Sequence, residues 1–195
     1  MHRYRLTHTV LILALGAAAT AASADPRAEV LDAFSRAMQS TDYRIEIQGD
    51  RRGTPFTVNV DVQMPDRFHM RAPEGEFIIH PAGTWSRQNG QWMKLPMDMS
   101  GMMKGYKQPT AEEVDADIAD VRFAGEETVR GCPSRNYSFR TTSKSLGSRS
   151  GDEMLLSVCT RDGRPIRMQS PGERRGERMD LYYDFDARVD IRPPS

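Results

Sequence analysis

The sequence predicts an α+β chain that is mainly β, with one amino-terminal helix followed by ten or eleven antiparallel strands. Three observations carry this. Apolar residues recur at spacings of three and four in a single early stretch, the period of a helix face. From Tyr43 onward the dominant period is two, the period of a pleated strand. Gly, Pro, Asn and Asp cluster between the alternating runs, where reverse turns need them. Strands apolar on one face only do not belong in a buried parallel sheet, whose strands are apolar throughout.

Asp25-Pro26 opens the helix, with Asp as N-cap and Pro in the first helical position. Val30, Leu31, Phe34, Ala37 and Met38 give it an apolar face over Pro26–Gln39. Tyr43, Ile45 and Ile47 alternate next, and Gly49–Gly53 reads as a turn. Phe56, Val58, Val60, Val62 and Met64 form the clearest strand. A meander continues through Asp66–Ala72 and Glu76–His80, with turns at Pro73-Glu74-Gly75 and Pro81-Ala82-Gly83. Trp85–Lys94 is a hairpin around Asn89-Gly90, a pair suited to a type I′ turn because both residues need positive φ. That turn pairs Gln88 with Gln91 and Arg87 with Trp92, so Trp85 and Trp92 share a face.

The strand signal stops between Pro96 and Asp120. A Met-rich stretch lies there, followed by Thr110-Ala111-Glu112-Glu113, a capping box that opens a short acidic helix to about Ala119. Strands resume as Arg122–Gly131, Arg135–Thr142, Glu153–Thr160, Arg164–Ser170 and Arg178–Asp186, and Val189–Arg192 reads as a strand closing the sheet.

The chain has 195 residues and equal numbers of Lys+Arg and Asp+Glu, 27 each. One domain of ordinary size fits that length. Zero formal charge argues against nucleic acid, which a basic patch usually meets. Met1–Ala24 reads as a cleaved signal peptide, with a basic start at His2, Arg3 and Arg5, an apolar Thr9–Ala19, and Ala22-Ser23-Ala24 as the small-x-small cleavage site. The expected organisation is therefore a leader over 1–24 and a single domain over 25–195, soluble in the periplasm and monomeric. Cys132 and Cys159 are the only cysteines, and in an oxidising compartment one disulfide is their simplest use. The 26 residues between them make its closure worth about 3–4 kcal/mol in the chain-entropy model.

A sheet this wide curls, and its apolar face needs a cover. One helix of about fourteen residues and the Pro96–Ala119 insert are small covers for it, leaving room for a hydrophobic ligand. In order of features the chain resembles the LolA/LppX-like superfamily of exported lipid and lipoprotein carriers. The resemblance rests on the helix Ala28–Met38, DVQMPDRFHMR as strand-turn-strand, the tryptophan hairpin GTWSRQNGQWMKLP, and GEETVRGCPSRNYSF, GRPIRMQS and MDLYYDFDARVDIRPP as closing strands. It spans nearly all of residues 25–195 and implies a half-open antiparallel β-barrel whose helices cover the concave face. It implies a carrier holding acyl chains of lipid or lipoprotein without chemistry, served by an inner- or outer-membrane receptor. No catalytic residue, cofactor or metal comes with it, and a lipobox cysteine is missing from this chain.

The candidate ligand-binding residues are Phe56, Val58, Val60, Trp85, Trp92, Met99, Met102, Met103 and Tyr106. Methionine suits an adaptable apolar pocket. Core packing is the other reading of the same residues. Cu(I) capture by the thioethers of Met97, Met99, Met102 and Met103 is a third, although neither His nor Cys accompanies them. An envelope-stress sensor of the RseB/MucB kind is the alternative at the level of function, but residues 25–195 leave no room for its second domain. His69 and His80 read as surface or hydrogen-bonded histidines, and no G-x-S-x-G, H-E-x-x-H or P-loop occurs.

Overall fold

The computed structural model describes residues 25–51, 53–96, 110–142, 150–171 and 177–194. The expected leader, the Met-rich stretch containing Met99, Met102, Met103 and Tyr106, and the Arg174-Arg175 pair lie outside these residues. Among the described residues are two helices, α1 (Pro26–Met38) and α2 (Ala111–Asp117). The strands are β1 (Asp42–Arg51), β2 (Thr54–Gln63), β3 (Arg67–Ala72), β4 (Gly75–His80), β5 (Gly83–Gln88), β6 (Gln91–Lys94), β7 (Ile118–Val129), β8 (Cys132–Thr141), β9 (Glu153–Cys159), β10 (Pro165–Pro171) and β11 (Arg178–Asp184).

All eleven strands form one antiparallel sheet in the order β6-β5-β4-β3-β2-β1-β11-β10-β9-β8-β7. It is an open half-barrel. Two meanders compose it, β1–β6 and β7–β11, and among the described residues the strand pairing between them is that of β1 with β11. β6 and β7 are consecutive in the chain yet occupy opposite edges.

Local chemistry explains most of the elements. Asp25 caps α1 by accepting from the Arg27 N–H at 3.0 Å. Thr110 and Glu113 complete the capping box of α2 in both directions. Asn89 and Gly90 both take positive φ, 51° and 81°, and the hairpin has Gln88 opposite Gln91 and Arg87 opposite Trp92. Cys132 and Cys159 are bridged, with Cα atoms 5.7 Å apart, tying the start of β8 to the end of β9.

Three expectations change. Gly49 lies inside β1 rather than in a turn, because it faces Phe56 and a Cβ there would sit 2.7 Å from the phenyl ring. The second helix stops at Asp117, and Ile118 already pairs with Thr141. Val189–Arg192 is not a strand. β11 is flanked by β1 and β10, so no free edge lies beside it, and Pro193-Pro194 offers no N–H to a ladder.

The largest core lies between α1, α2 and strands β7–β11. Val30 and Val114 from the helices bury against Tyr137, Phe139, Met154, Leu156 and Met168, with Leu31 and Phe34 at the margin. Each such side chain contributes about 1.5–3 kcal/mol when fully buried. Polar contacts fix the helix direction. Glu29 accepts from Arg135 at 2.8 Å and from the Tyr137 hydroxyl, and Arg27 pairs with Asp115 at 2.7 Å while donating to the Ile118 carbonyl.

Candidate binding site

Because strand side chains alternate between faces, the pairing register assigns every residue of β1–β6 to one face or the other. One face carries a continuous row, Tyr183–Ile45–Val60–Met70–Phe77–Ser86–Met93, running across seven neighbouring strands from β11 to β6. A parallel row, Tyr43–Val62–Phe68–Ile79–Thr84, lies nearer the rim where β1 begins. Val62, Phe68, Ile79 and Thr84 of this second row are buried and Tyr43 is half-buried, whereas Met70 and Met93 in the first are 37% and 45% exposed. The cluster of Val62, Phe68 and Ile79 is completed by Tyr43, Ile45, Val60 and Met64, and contains no described helix residue. Helices α1 and α2 pack instead on β7–β10. The apolar face is therefore helix-covered over the second meander and bare of described helix over the first.

Phe56, Val58 and Val60 all project onto this apolar face from β2. Val58 sits opposite Ile47, and Phe56 folds over Gly49 with the Arg51 guanidinium 5.3 Å from its ring centre. Trp85 and Trp92 do not join them. Trp85 pairs with Ile78 and Arg87 with Trp92, which puts both indoles on the opposite face of the sheet. The small residues Thr84 and Ser86 occupy the apolar face of β5 instead. The expected grouping of the tryptophans with Phe56, Val58 and Val60 is thus corrected by register. Met70 and Phe77, which are not among the candidate residues, share the face with Phe56, Val58 and Val60.

The opposite face carries a ladder of charges. Arg44 and Arg71 donate to the two oxygens of Asp61 at 2.5 and 2.8 Å. Arg71 also donates to His69 Nδ1 at 3.0 Å, which leaves Nε2 to carry the ring proton and donate it to Glu76 at 2.7 Å. Arg87 donates to the other Glu76 oxygen at 3.1 Å and lies 5.9 Å over the Trp92 ring. Burial alone pushes the Asp61 carboxyl up, but the hydrogen bonds from Arg44 and Arg71 outweigh it and hold it below the usual carboxylate range. Glu76 behaves likewise: burial raises it, and the hydrogen bonds from His69 and Arg87 bring it below its ordinary value. The expected hydrogen-bonded histidine is therefore a rung between two carboxylate clusters. The alternating polar residues of β1–β4 were the available signal, and only register shows that they touch.

On the apolar face of β11, burial pushes the Tyr183 hydroxyl well above its ordinary range, and its ring stacks on Phe185 at 5.8 Å. A polar recess of about 420 Å³, lined by Gln48, Gly49, Asp50, Glu177, Arg178 and Asp180, opens at the far ends of β1 and β11. Among the described residues, no three His, Cys, Asp or Glu side chains are grouped to hold a metal ion. Nor is any described helix long and apolar enough to cross a membrane.

No family model and no curated protein matches the chain. Solved structures do. The lipoprotein LppX of Mycobacterium tuberculosis superposes with a TM-score of 0.63 at 11% identity, covering 86% of this chain and 98% of LppX. LprF of Mycobacterium bovis matches with a TM-score of 0.63 at 10% identity over 87% of this chain and 97% of its own. MucB matches at 0.53 and 12% identity, covering 86% of this chain but 64% of MucB. Identities this low speak for the fold, and on that ground the chain has the LolA/LppX-like fold, an open antiparallel half-barrel with helices over part of one face.

Proposed function

We propose that this chain is a periplasmic carrier that holds acyl chains, or another hydrophobic ligand, on the apolar face of β1–β6 and performs no chemistry on them. One observation carries the reading. Phe56, Val58, Val60, Met70, Phe77 and Met93 share a face that no described helix seals. A ligand tail lying across the strands would replace water on methionine and phenylalanine, at about 25 cal/mol per Å² of apolar area. Methionine adapts to chains of differing shape. Met99, Met102, Met103 and Tyr106 belong to the proposed site through sequence alone, as does delivery to or from a membrane receptor.

Delipidated protein titrated with a fluorescent fatty acid tests the reading, together with native mass spectrometry of protein taken from its own periplasm. We expect saturable binding and co-purified lipid, with Met70→Ser and Phe77→Ser each weakening the probe about tenfold. A clean apo spectrum and no probe binding would overturn it. Titration with Cu(I) separates the copper reading, which predicts binding that disappears in a Met99→Leu, Met102→Leu, Met103→Leu chain.

A further inference from the structure

Tyr183 stands at the boundary between the two halves of the apolar face. On one side it packs against the helix-covered cluster that contains Val30, Leu156 and Met168. On the other it pairs with Ile45, which opens the row running through Val60, Met70 and Phe77 over the half bare of described helix. Its ring is held in place: it stacks on Phe185 with the two planes 6° apart, and Tyr43 bears on the same phenylalanine at 5.6 Å. The hydroxyl lies among these apolar side chains, and no described residue hydrogen-bonds it. A tyrosine hydroxyl in such surroundings ordinarily has a partner, because a dry, unpaired polar group costs free energy. Burial keeps it protonated at neutral pH, so it is a standing donor. Among the described residues the ionisable group that bears on it is Tyr43. Arg44, Arg71 and Arg87 project from the opposite face, and Arg51, at the far end of β1, is held by Glu74 at 2.5 Å. A partner for this hydroxyl must therefore accept a hydrogen bond without bringing a charge. A carboxylate placed there would give up its water for one phenol and no cation, whereas an ester carbonyl is served by a single donor.

We propose that the Tyr183 hydroxyl is the polar anchor of the ligand surface, donating to the carbonyl of an uncharged ester whose aliphatic part runs from Ile45 towards Phe77. The inference rests on the carrier reading and adds two things to it. The ligand is an acyl ester rather than a free acid, and its head lies at the junction of the two meanders with its tail over β1–β4. The stacked ring fixes the donor before the ligand arrives, so little ordering is left to the moment of binding.

The test takes the full chain and its Tyr183→Phe variant, which keeps the ring and removes the donor. Three fluorescent probes are titrated: cis-parinaric acid, its methyl ester, and diphenylhexatriene, which carries no acceptor. The wild-type chain should bind the ester about tenfold more tightly than the acid at neutral pH. Tyr183→Phe should weaken the ester about tenfold and leave diphenylhexatriene within about twofold. Infrared spectra of a bound ester with an isotope-labelled carbonyl add a readout that packing alone does not move, the stretch lying lower in wild type than in Tyr183→Phe. Equal weakening of ester and diphenylhexatriene, an unchanged ester affinity, or the same carbonyl stretch in both chains would overturn the anchor and leave the carrier reading standing. Tighter binding of the acid than of the ester would overturn the assigned ligand class. A wild-type chain that binds none of the three probes overturns the carrier reading, and the anchor with it.

Discussion

The two meanders are built alike and finished differently. Over β7–β11 the apolar face is sealed: α1 and α2 close on it, and Tyr137, Phe139, Met154 and Leu156 are all at most 1% exposed. Over β1–β6 the same face carries partly exposed Val60 and Phe77 and more exposed Met70 and Met93. Beside the small core of Val62, Phe68 and Ile79, it is braced from behind, where Arg44, Asp61, Arg71, His69, Glu76 and Arg87 link five strands through side chains. A sheet braced from its back can leave part of its front exposed. That division lets one half store stability while the other presents apolar surface to a guest.

Equal damage to the two halves should then have unequal effects. Phe139→Ala, in the sealed half, costs about 3–5 kcal/mol through the cavity it leaves, whereas Val60→Ala costs about 1 kcal/mol because its site is already part-open. Urea unfolding of the two variants measures the difference, and equal losses would dissolve the contrast. Replacing both Cys132 and Cys159 with serine costs about 3 kcal/mol through the loop they close. Differential scanning calorimetry reads that loss, which falls on the second meander where both residues lie.

Breaking the brace is the next smaller effect. Asp61→Asn leaves Arg44 and Arg71 facing a neutral amide and costs about 2 kcal/mol at neutral pH. Asp61 and Glu76 both sit below their ordinary values, so the stability they supply is complete above the unfolded carboxylate range. It is lost as pH falls through their folded values. Unfolding midpoints measured from about pH 7 down to about pH 3 should therefore fall less steeply for Asp61→Asn than for wild type. The smallest effect separates stability from binding: Met70→Ser changes stability by less than about 1 kcal/mol. Parallel denaturation and probe-binding curves would show the larger change in binding.

Period and turn chemistry made much of this legible before any coordinates. The alternation from Phe56 to Val62 names a strand, Asn89-Gly90 sets a hairpin register, and Asp25-Pro26 and Thr110–Glu113 mark helix starts. Which face a strand presents was less legible. In β5 the reading that apolar residues face the ligand sends Trp85 to the wrong side. What covers that indole is Ile191, over a hundred residues away in sequence, and no local pattern records it. Ile78 and Ile79 held the available clue, since two adjacent isoleucines in a strand require cover on both faces. The charge ladder was hidden for a related reason: its members read as ordinary polar alternation until the pairing of β1 through β5 is known.

The placement of β6 and β7 on opposite edges bears on how such a chain assembles. Within each meander every strand pairs with its neighbour in sequence, so each can zip up by short, rapid loop closures. Among the strand pairings, the one distant search is the meeting of β1 with β11 some 140 positions later, and the packing of α1 on the second meander adds a second. Substitutions along these distant contacts, Ile47 opposite Leu181 for instance, should slow refolding more than equivalent changes at either rim.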